Sequence, residues 1–335
     1  MSNPPPSPQP TGSFPFAASI FSDGGSSSSS ASAGRRAETL SYARRLIDAL
    51  HNPETRERAL SLLAKLQSKA VREELAPLLW HSFGAVTILL QEVISVYRFM
   101  PNNLTEKQSN RVCNALALFQ GMAAHPDTKH LLMKANIPMY LYPFLDSTNK
   151  EKPHEFLRLT SLGVIGALVK VEDPVTTRFL LESQVFPCCL RCMEFADHLL
   201  SKTVATFIVH RLILNDEGLR YCCALADRFF AVSHQLGKMV EQLANSNEVM
   251  LGGDTPKRLL KHIIWCYQRL SESPRACHGL RTWLPLRLRD AAFISIIQDD
   301  VTAMQCLQKL FNNLAARNVS PPPAIDNLLT RLVRH

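Results

Sequence analysis

Four segments of the chain share one pattern: His51-Asn52-Pro53-Glu54-Thr55-Arg56, Ala124-His125-Pro126-Asp127-Thr128-Lys129, Glu172-Asp173-Pro174-Val175-Thr176-Thr177-Arg178 and Glu272-Ser273-Pro274-Arg275. Each closes an apolar run of helical spacing and opens another. Proline suits the first helical position because that N–H has no intrahelical partner, and Asn, Asp or Ser just before it can cap the new helix. The segments are therefore corners between consecutive helices, and Asn215-Asp216-Glu217 supplies a corner without proline. Pro126 and Pro174 are 48 residues apart, and Pro174 and Pro274 are 100 apart. A second proline, Pro138, Pro187 or Pro285, follows three of the corners after 11 to 13 residues. The unit is a long helix, a corner, a short helix, a proline turn and a further helix. A period of roughly 40 to 50 residues built from two or three helices belongs to armadillo and HEAT solenoids, whose units are too small to bury their own apolar faces and must stack.

Period-two alternation is scarce, so the class is all-α, an armadillo/HEAT-like solenoid of stacked helical repeats. Leu159, Leu162, Ile165, Leu168 and Val169 form one stripe, beside which Gly163 and Gly166 would admit a close neighbour. The first 34 residues differ, with eleven serines, six prolines, no Lys or Arg and one acid, Asp23. Too little apolar surface is available there to offset chain entropy. The expected organisation is a disordered Ser/Pro-rich tail over 1–35, a repeat domain over 36–317 and a Pro-rich C-terminal tail over 318–335. Residues 244–256, with Gly252-Gly253, read as an exposed loop.

Removing the tail's single negative charge from the total of +8 leaves the rest at +9, which favours acidic partners or a nucleic-acid backbone. No secretory signal or run of 18 apolar residues is present, so a soluble intracellular protein without membrane contact is expected, with an organelle transit peptide as the alternative for the tail. Nine cysteines then point to buried thiols.

Chemistry is sparse. Cys188, Cys189 and Cys192 with Cys222 and Cys223 could be assembled into a zinc site, but their interleaving with apolar residues favours core thiols. Asp299 and Asp300 point about 100° apart on a helix and suit its dipole better than a shared site. No phosphate loop, nucleophile elbow or HExxH pattern occurs, so neither an enzyme nor a cofactor is expected. Lys257, Arg258, Lys261, Arg275 and Arg228 could line a shared groove, with solvated helix faces as the alternative.

The run Leu78 to Gln91 raises a separate question, since its His81-Ser82 pair lacks a third catalytic partner. An ideal helix places Leu79, Phe83, Val86, Leu90, Val93 and Tyr97 in one core stripe, with Thr87 and Ile94 beside it. That face is wide enough to receive a partner helix or to be covered by a neighbouring repeat. In a single helix from Pro77, His81 would point roughly 160° from Phe83, unless a new helix begins at Ser82.

The stretches LAPLLWHSFGAV, QSNRVCNALALFQ, YLYPFLDS, EFLRLTSLGVIGALVK, LSKTVATFI and RLLKHIIWCYQRLSESPRA closely resemble the Rcd (required for cell differentiation) family, the armadillo-repeat Caf/Rcd-type subunit of the Ccr-Not deadenylase complex. The resemblance runs from about residue 40 to 316 and leaves out the tail and the Gly252-Gly253 insertion. It implies a solenoid of about six armadillo-type repeats acting as a non-enzymatic adaptor, found in cytoplasm, P-bodies and nucleus, that docks on the Not scaffold and recruits regulators promoting mRNA deadenylation, decay and translational repression. It implies a groove for short helical peptides at His81, Phe83, Thr87 and Ile94, and a tryptophan-pocket region containing Arg228, Arg258 and Arg275. Ala226 stands where animal relatives use an aromatic, which should weaken indole stacking by about 1 kcal/mol. Nucleic-acid binding and self-association are further implied options, with a basic solenoid that binds nucleic acid directly as the rival function.

Overall fold

The computed structural model describes residues 30–66, 69–101, 103–245 and 254–316; among them there is no strand. In chain order the helices are α1 (Ser30–Ala49), α2 (Pro53–Lys65), α3 (Lys69–His81), α4 (Ala85–Ile94), α5 (Glu106–Ala124), α6 (Pro126–Lys134), α7 (Tyr142–Asp146), α8 (Lys152–Val169), α9 (Pro174–Glu182), α10 (Val185–Phe195), α11 (Leu199–Leu214), α12 (Asp216–Ala224), α13 (Ala226–Asn245), α14 (Asp254–Leu270), α15 (Pro274–Trp283), α16 (Ala291–Ile294) and α17 (Val301–Ala315). Short 3-10 helices at Ile137–Leu141 and Leu286–Arg289 complete two of the repeats.

Three ladders run through this order. Helices α2, α5, α8, α11, α14 and α17 stack in sequence, as do the short helices α3, α6, α9 and α12. The third ladder runs from α4 through Ile137–Leu141 and α7 to α10 and α13. Six rungs on the first ladder give a solenoid of six repeats, and the apolar core is continuous from Ala43 to Leu314. The 3.1 Å approach that a Cβ on Gly163 would make to Gln120 Oε1 shows how closely α8 lies on α5.

The corners form for the reasons their residues suggest. The backbone N–H groups of Glu54, Asp127, Val175 and Glu217 donate to Asn52 Oδ1, His125 Nδ1, Asp173 Oδ1 and Asn215 Oδ1 at 2.9 to 3.2 Å. Ser273 makes no such side-chain cap. The Asn52-Pro53 corner has a different phase: it opens a rung of the long ladder, whereas the other corners follow one. A left-handed residue then turns each early short helix into the next element: Gly84 at φ 68°, Asn136 at 55° and Gln184 at 65°.

Charged links fix the rungs. Arg211 Nε donates to Val169 O and Arg269 Nε to Ile213 O, both at 3.0 Å, so each places positive charge at the negative end of the preceding rung. Fully buried Arg158 pairs with Glu155 and donates to Ser147 O at 2.6 Å and Asn149 O at 2.9 Å, while Ser201 Oγ donates to Glu155 at 2.5 Å. This network fastens the α7–α8 connection to α11.

Helix α1 begins at Ser30, ahead of the boundary expected at 36. The rest of the Ser/Pro-rich tail, residues 246–253 of the expected loop and the C-terminal tail lie outside the described residues.

Candidate protein-docking site

The run from Leu78 is two helices. α3 stops at His81, Ser82 Oγ donates back to Leu78 O at 2.6 Å, and Gly84 takes the left-handed conformation. The axes on either side of this break differ by 91°. The expected core stripe therefore fails at Phe83. Leu79 and Val93 are buried and Val86, Leu90 and Tyr97 are half-buried, but Phe83 is 93% exposed. The bend resets the helical phase, so residues before and after it do not share a face.

Helix α4 instead buries Ala85, Ile88, Leu89, Glu92 and Val93. Glu92 receives Arg111 Nη2 at 2.7 Å from α5 and lies 3.6 Å from Arg56 Nη1 on α2, which sets the roll of α4. Thr87, Gln91 and Ile94 consequently face outward, spaced four and three residues apart on one face. Phe83 stands in the turn that enters α4. His81 is exposed at the end of α3, across the bend. The structure thus groups Phe83, Thr87 and Ile94 on α4 and its entry turn, with His81 on the other helix.

Two contributions were not visible in the sequence. Exposed Met139 and Tyr140 sit on the 3-10 helix packed against α4 and extend its apolar surface. Tyr97 donates its hydroxyl to Tyr140 O, and burial followed by Tyr140 pushes the Tyr97 phenol up to about 12. The second contribution is His51, from the first corner. Its Nε2 is 2.9 Å from Phe83 O, and a Cβ on Gly84 would lie 3.2 Å from the same nitrogen. Thirty-two residues separate His51 from Phe83, so no local pattern could reveal this support.

The arginine region is assembled differently. Arg228, on α13, lies with its guanidinium carbon 3.8 Å from the Tyr221 ring centroid and donates to Tyr221 O at 3.2 Å. Arg258, in the first turns of α14, is 3.8 Å from Asp254. Exposed Arg275 opens α15 beyond the other end of α14. The rise from Arg258 to Leu270 is about 18 Å of helix, so Arg258 and Arg275 stand at opposite ends of α14. Lys261 pairs with Asp300, which also caps α17 by accepting from Ala303 N–H at 2.9 Å. Ala226 is the first residue of α13, next to this region.

Seven of the nine thiols are buried, with Cys223 and Cys306 half-buried, and His210 and His262 are buried as well. Cys188 donates to Gln184 O at 3.5 Å and Cys192 to Leu145 O at 3.4 Å; burial pushes Cys188 up to about 12 and Cys189 and Cys192 well above the ordinary thiol range. Among the described residues no group of three or more His, Cys, Asp or Glu side chains is placed to hold a metal ion. Likewise no single described helix is long and apolar enough to cross a membrane. His210 and His262 pack with Trp265 between α11 and α14, and burial lowers them to about 3 and about 4.

Comparison with known proteins matches residues 46–314 to the cell differentiation family, Rcd1-like. The cell differentiation protein rcd1 of Schizosaccharomyces pombe is 49% identical over 262 residues, covering 78% of this chain and 89% of the relative. Protein CAF40 of Saccharomyces cerevisiae is 49% identical over 243 residues, covering 72% of this chain and 63% of the longer relative. Crystal structures of two engineered proteins share the fold at 13% identity. One has a TM-score of 0.52, covering 82% of this chain and 98% of its own; the other has 0.53, covering 81% and 96%. With the family matched over most of its length and half the residues identical to two of its relatives, the chain is a member of the Rcd1-like cell differentiation family.

Proposed function

We propose that the protein is a non-catalytic adaptor of the Ccr-Not deadenylase complex, which docks on the Not scaffold and on regulator proteins to promote mRNA decay and translational repression. The observation that carries the docking role is Phe83, a large aromatic 93% exposed on a turn held from behind by His51 and continued by Thr87, Ile94, Met139 and Tyr140. Exposed apolar surface of this extent marks a partner site, and the spacing along α4 suits an amphipathic helix. The names of the fission and budding yeast relatives agree with a role in this family.

Co-purification with the helical middle region of a Not scaffold and with bound regulators tests the reading. Wild type should retain both. The His81→Ala, Phe83→Ala variant should lose one class of partner and keep the other, which identifies what the α4 surface holds. Undiminished recovery of both classes would sink the docking assignment.

A second reading, direct nucleic-acid binding, draws on cation–aromatic pairs along the long ladder: Lys152 lies 5.5 Å from the Phe156 ring centroid and Lys261 6.0 Å from that of Trp265. Aromatic platforms among cations suit single strands. Filter binding with a steep salt dependence, abolished by charge reversal at Arg258 and Arg275, would favour it.

A further inference from the structure

The last repeats contain a groove of about 830 Å³ between α13 and the end of α15, away from the α4 surface. Phe230, Trp283 and Pro285 form its apolar wall. Phe230 meets Trp283 edge to face, centroids 5.9 Å apart, and holds an indole that is 44% exposed. The charged rim is matched within the fold: Lys238 is 3.3 Å from Glu194, and Arg287 is 3.6 Å from Glu241. Beside the groove, Leu286 is 78% exposed. An aromatic, charge-balanced groove of this kind suits an uncharged, proline-rich strand, because proline segments lay their rings on aromatic side chains and lose little entropy on binding.

The chain carries such a strand close by. Val319-Ser320-Pro321-Pro322-Pro323-Ala324-Ile325 has no charged residue and follows the last described helix. The residue from which it departs is fastened to the groove's own helix. Arg281 on α15 donates through Nε to Leu314 O at 3.1 Å and through Nη2 to Ala316 O at 2.9 Å, two residues before Trp283. Arg281 and Trp283 lie about 200° apart around α15, so the chain must cross roughly one helix diameter, 10–12 Å. The six residues from Ala316 to Pro322 reach about 20 Å when extended, which suffices.

We propose that residues 319–325 dock in cis in the Phe230–Trp283–Pro285 groove as a polyproline stretch. The proline-rich N-terminal segment is a poorer occupant. It leads into α1 in the first repeat, so its tether to the last repeats is far longer and its effective concentration at the groove correspondingly lower.

Fluorine NMR of the full chain labelled with 5-fluorotryptophan, compared with a chain ending at residue 316, tests the proposal. The chain has three tryptophans, and Trp80→Phe, Trp265→Phe and Trp283→Phe variants assign their signals. Truncation should shift the Trp283 resonance and leave Trp80 and Trp265 in place, which also reports an intact fold. A synthetic peptide of residues 317–335 should move the Trp283 signal back in the truncated chain. Pro321→Ala, Pro322→Ala and Pro323→Ala together in the full chain should reproduce the truncation. A Trp283 signal that is the same with and without residues 317–335 overturns the proposal. So does a shift that depends on protein concentration, because a second copy would then be the occupant.

Discussion

The α4 surface and the arginine region are both surfaces drawn from short sets of residues, yet the fold builds them by different rules. Phe83, Thr87 and Ile94 belong to one turn and one helix; a buried carboxylate, Glu92, sets the direction of the helical pair, and His51 holds the turn. Arg228, Arg258 and Arg275 stand on three different helices, and Arg228 and Arg258 already engage groups of their own chain, Tyr221 and Asp254. A surface contained in one helix is fixed by local geometry. A surface spread over ladders depends on how the repeats stack, and it carries only what each side chain can do alone.

The sharpest way to break that contrast is at Phe83. Because its side chain is exposed, Phe83→Asp should leave thermal unfolding unchanged while lowering affinity for the α4 partner by at least ~100-fold, about 3 kcal/mol, the scale of an interface anchor. Pull-down titration beside a thermal melt separates the two. A lowered melting temperature would mean that Phe83 packs inside the molecule in solution.

Acid should act on the other region first. His210 and His262 are held neutral by burial between α11 and α14, the helix that carries Arg258. Their folded values, about 3 and about 4, lie below the ordinary imidazole value near 6.5 that the unfolded chain retains. Between those limits the unfolded state binds more protons, so the stability is complete above pH ~6.5 and is lost as pH falls toward 4. Amide hydrogen exchange from pH 7 to pH 4.5, corrected for intrinsic rates, should show α11 and α14 losing protection before α4. Simultaneous loss in all three helices would show that the repeats unfold as one unit and that the two histidines do not set the order.

A smaller effect is expected at the bend. Gly84→Ala forces a Cβ into the left-handed region and toward His51 Nε2, which should cost about 1–2 kcal/mol. His51→Ala removes one exposed contact to Phe83 O and should cost less, while loosening the turn and weakening partner binding. Urea titration ranks the two, and the reverse order would mean that His51 carries more of the turn than the backbone conformation does.

These residues also show what a sequence can convey about such a fold. The corners were legible because Asn52, His125, Asp173 and Asn215 act within two residues of themselves, through capping bonds that any helix start makes available. The period followed from them, and with it the solenoid. The break at Ser82-Phe83-Gly84 stood only as an alternative, raised by the direction of His81, because Leu79, Val86, Leu90 and Val93 keep helical spacing on both sides of it. The glycine after a polar residue was the available signal. His51, Met139 and Tyr140 carried no signal, since repeats far apart in sequence bring them to α4. The rung-to-rung links of Arg211 and Arg269 lie between: a basic residue recurs near the end of a long helix, but its acceptor, a carbonyl on the preceding rung, is visible only once the rungs are stacked.

The smallest effect tests the arginine region most directly. If Arg258 and Arg275 lined one pocket, removing both would be non-additive, since each would act on the same bound group. The fold places about 18 Å of α14 between Arg258 and the corner that precedes Arg275. Sites more than about 10 Å apart with no shared partner add to within roughly 0.5 kcal/mol. A double-mutant cycle with Arg258→Ala and Arg275→Ala, read as affinity for a tryptophan-repeat peptide and separately for single-stranded RNA, should therefore give a coupling below that figure for the peptide. RNA should lose affinity nearly additively and show a shallower salt dependence in each variant, because each arginine neutralises its own phosphate. A peptide coupling above about 1 kcal/mol would place both guanidinium groups on one ligand. That ligand would then have to span the roughly 18 Å of α14 between them.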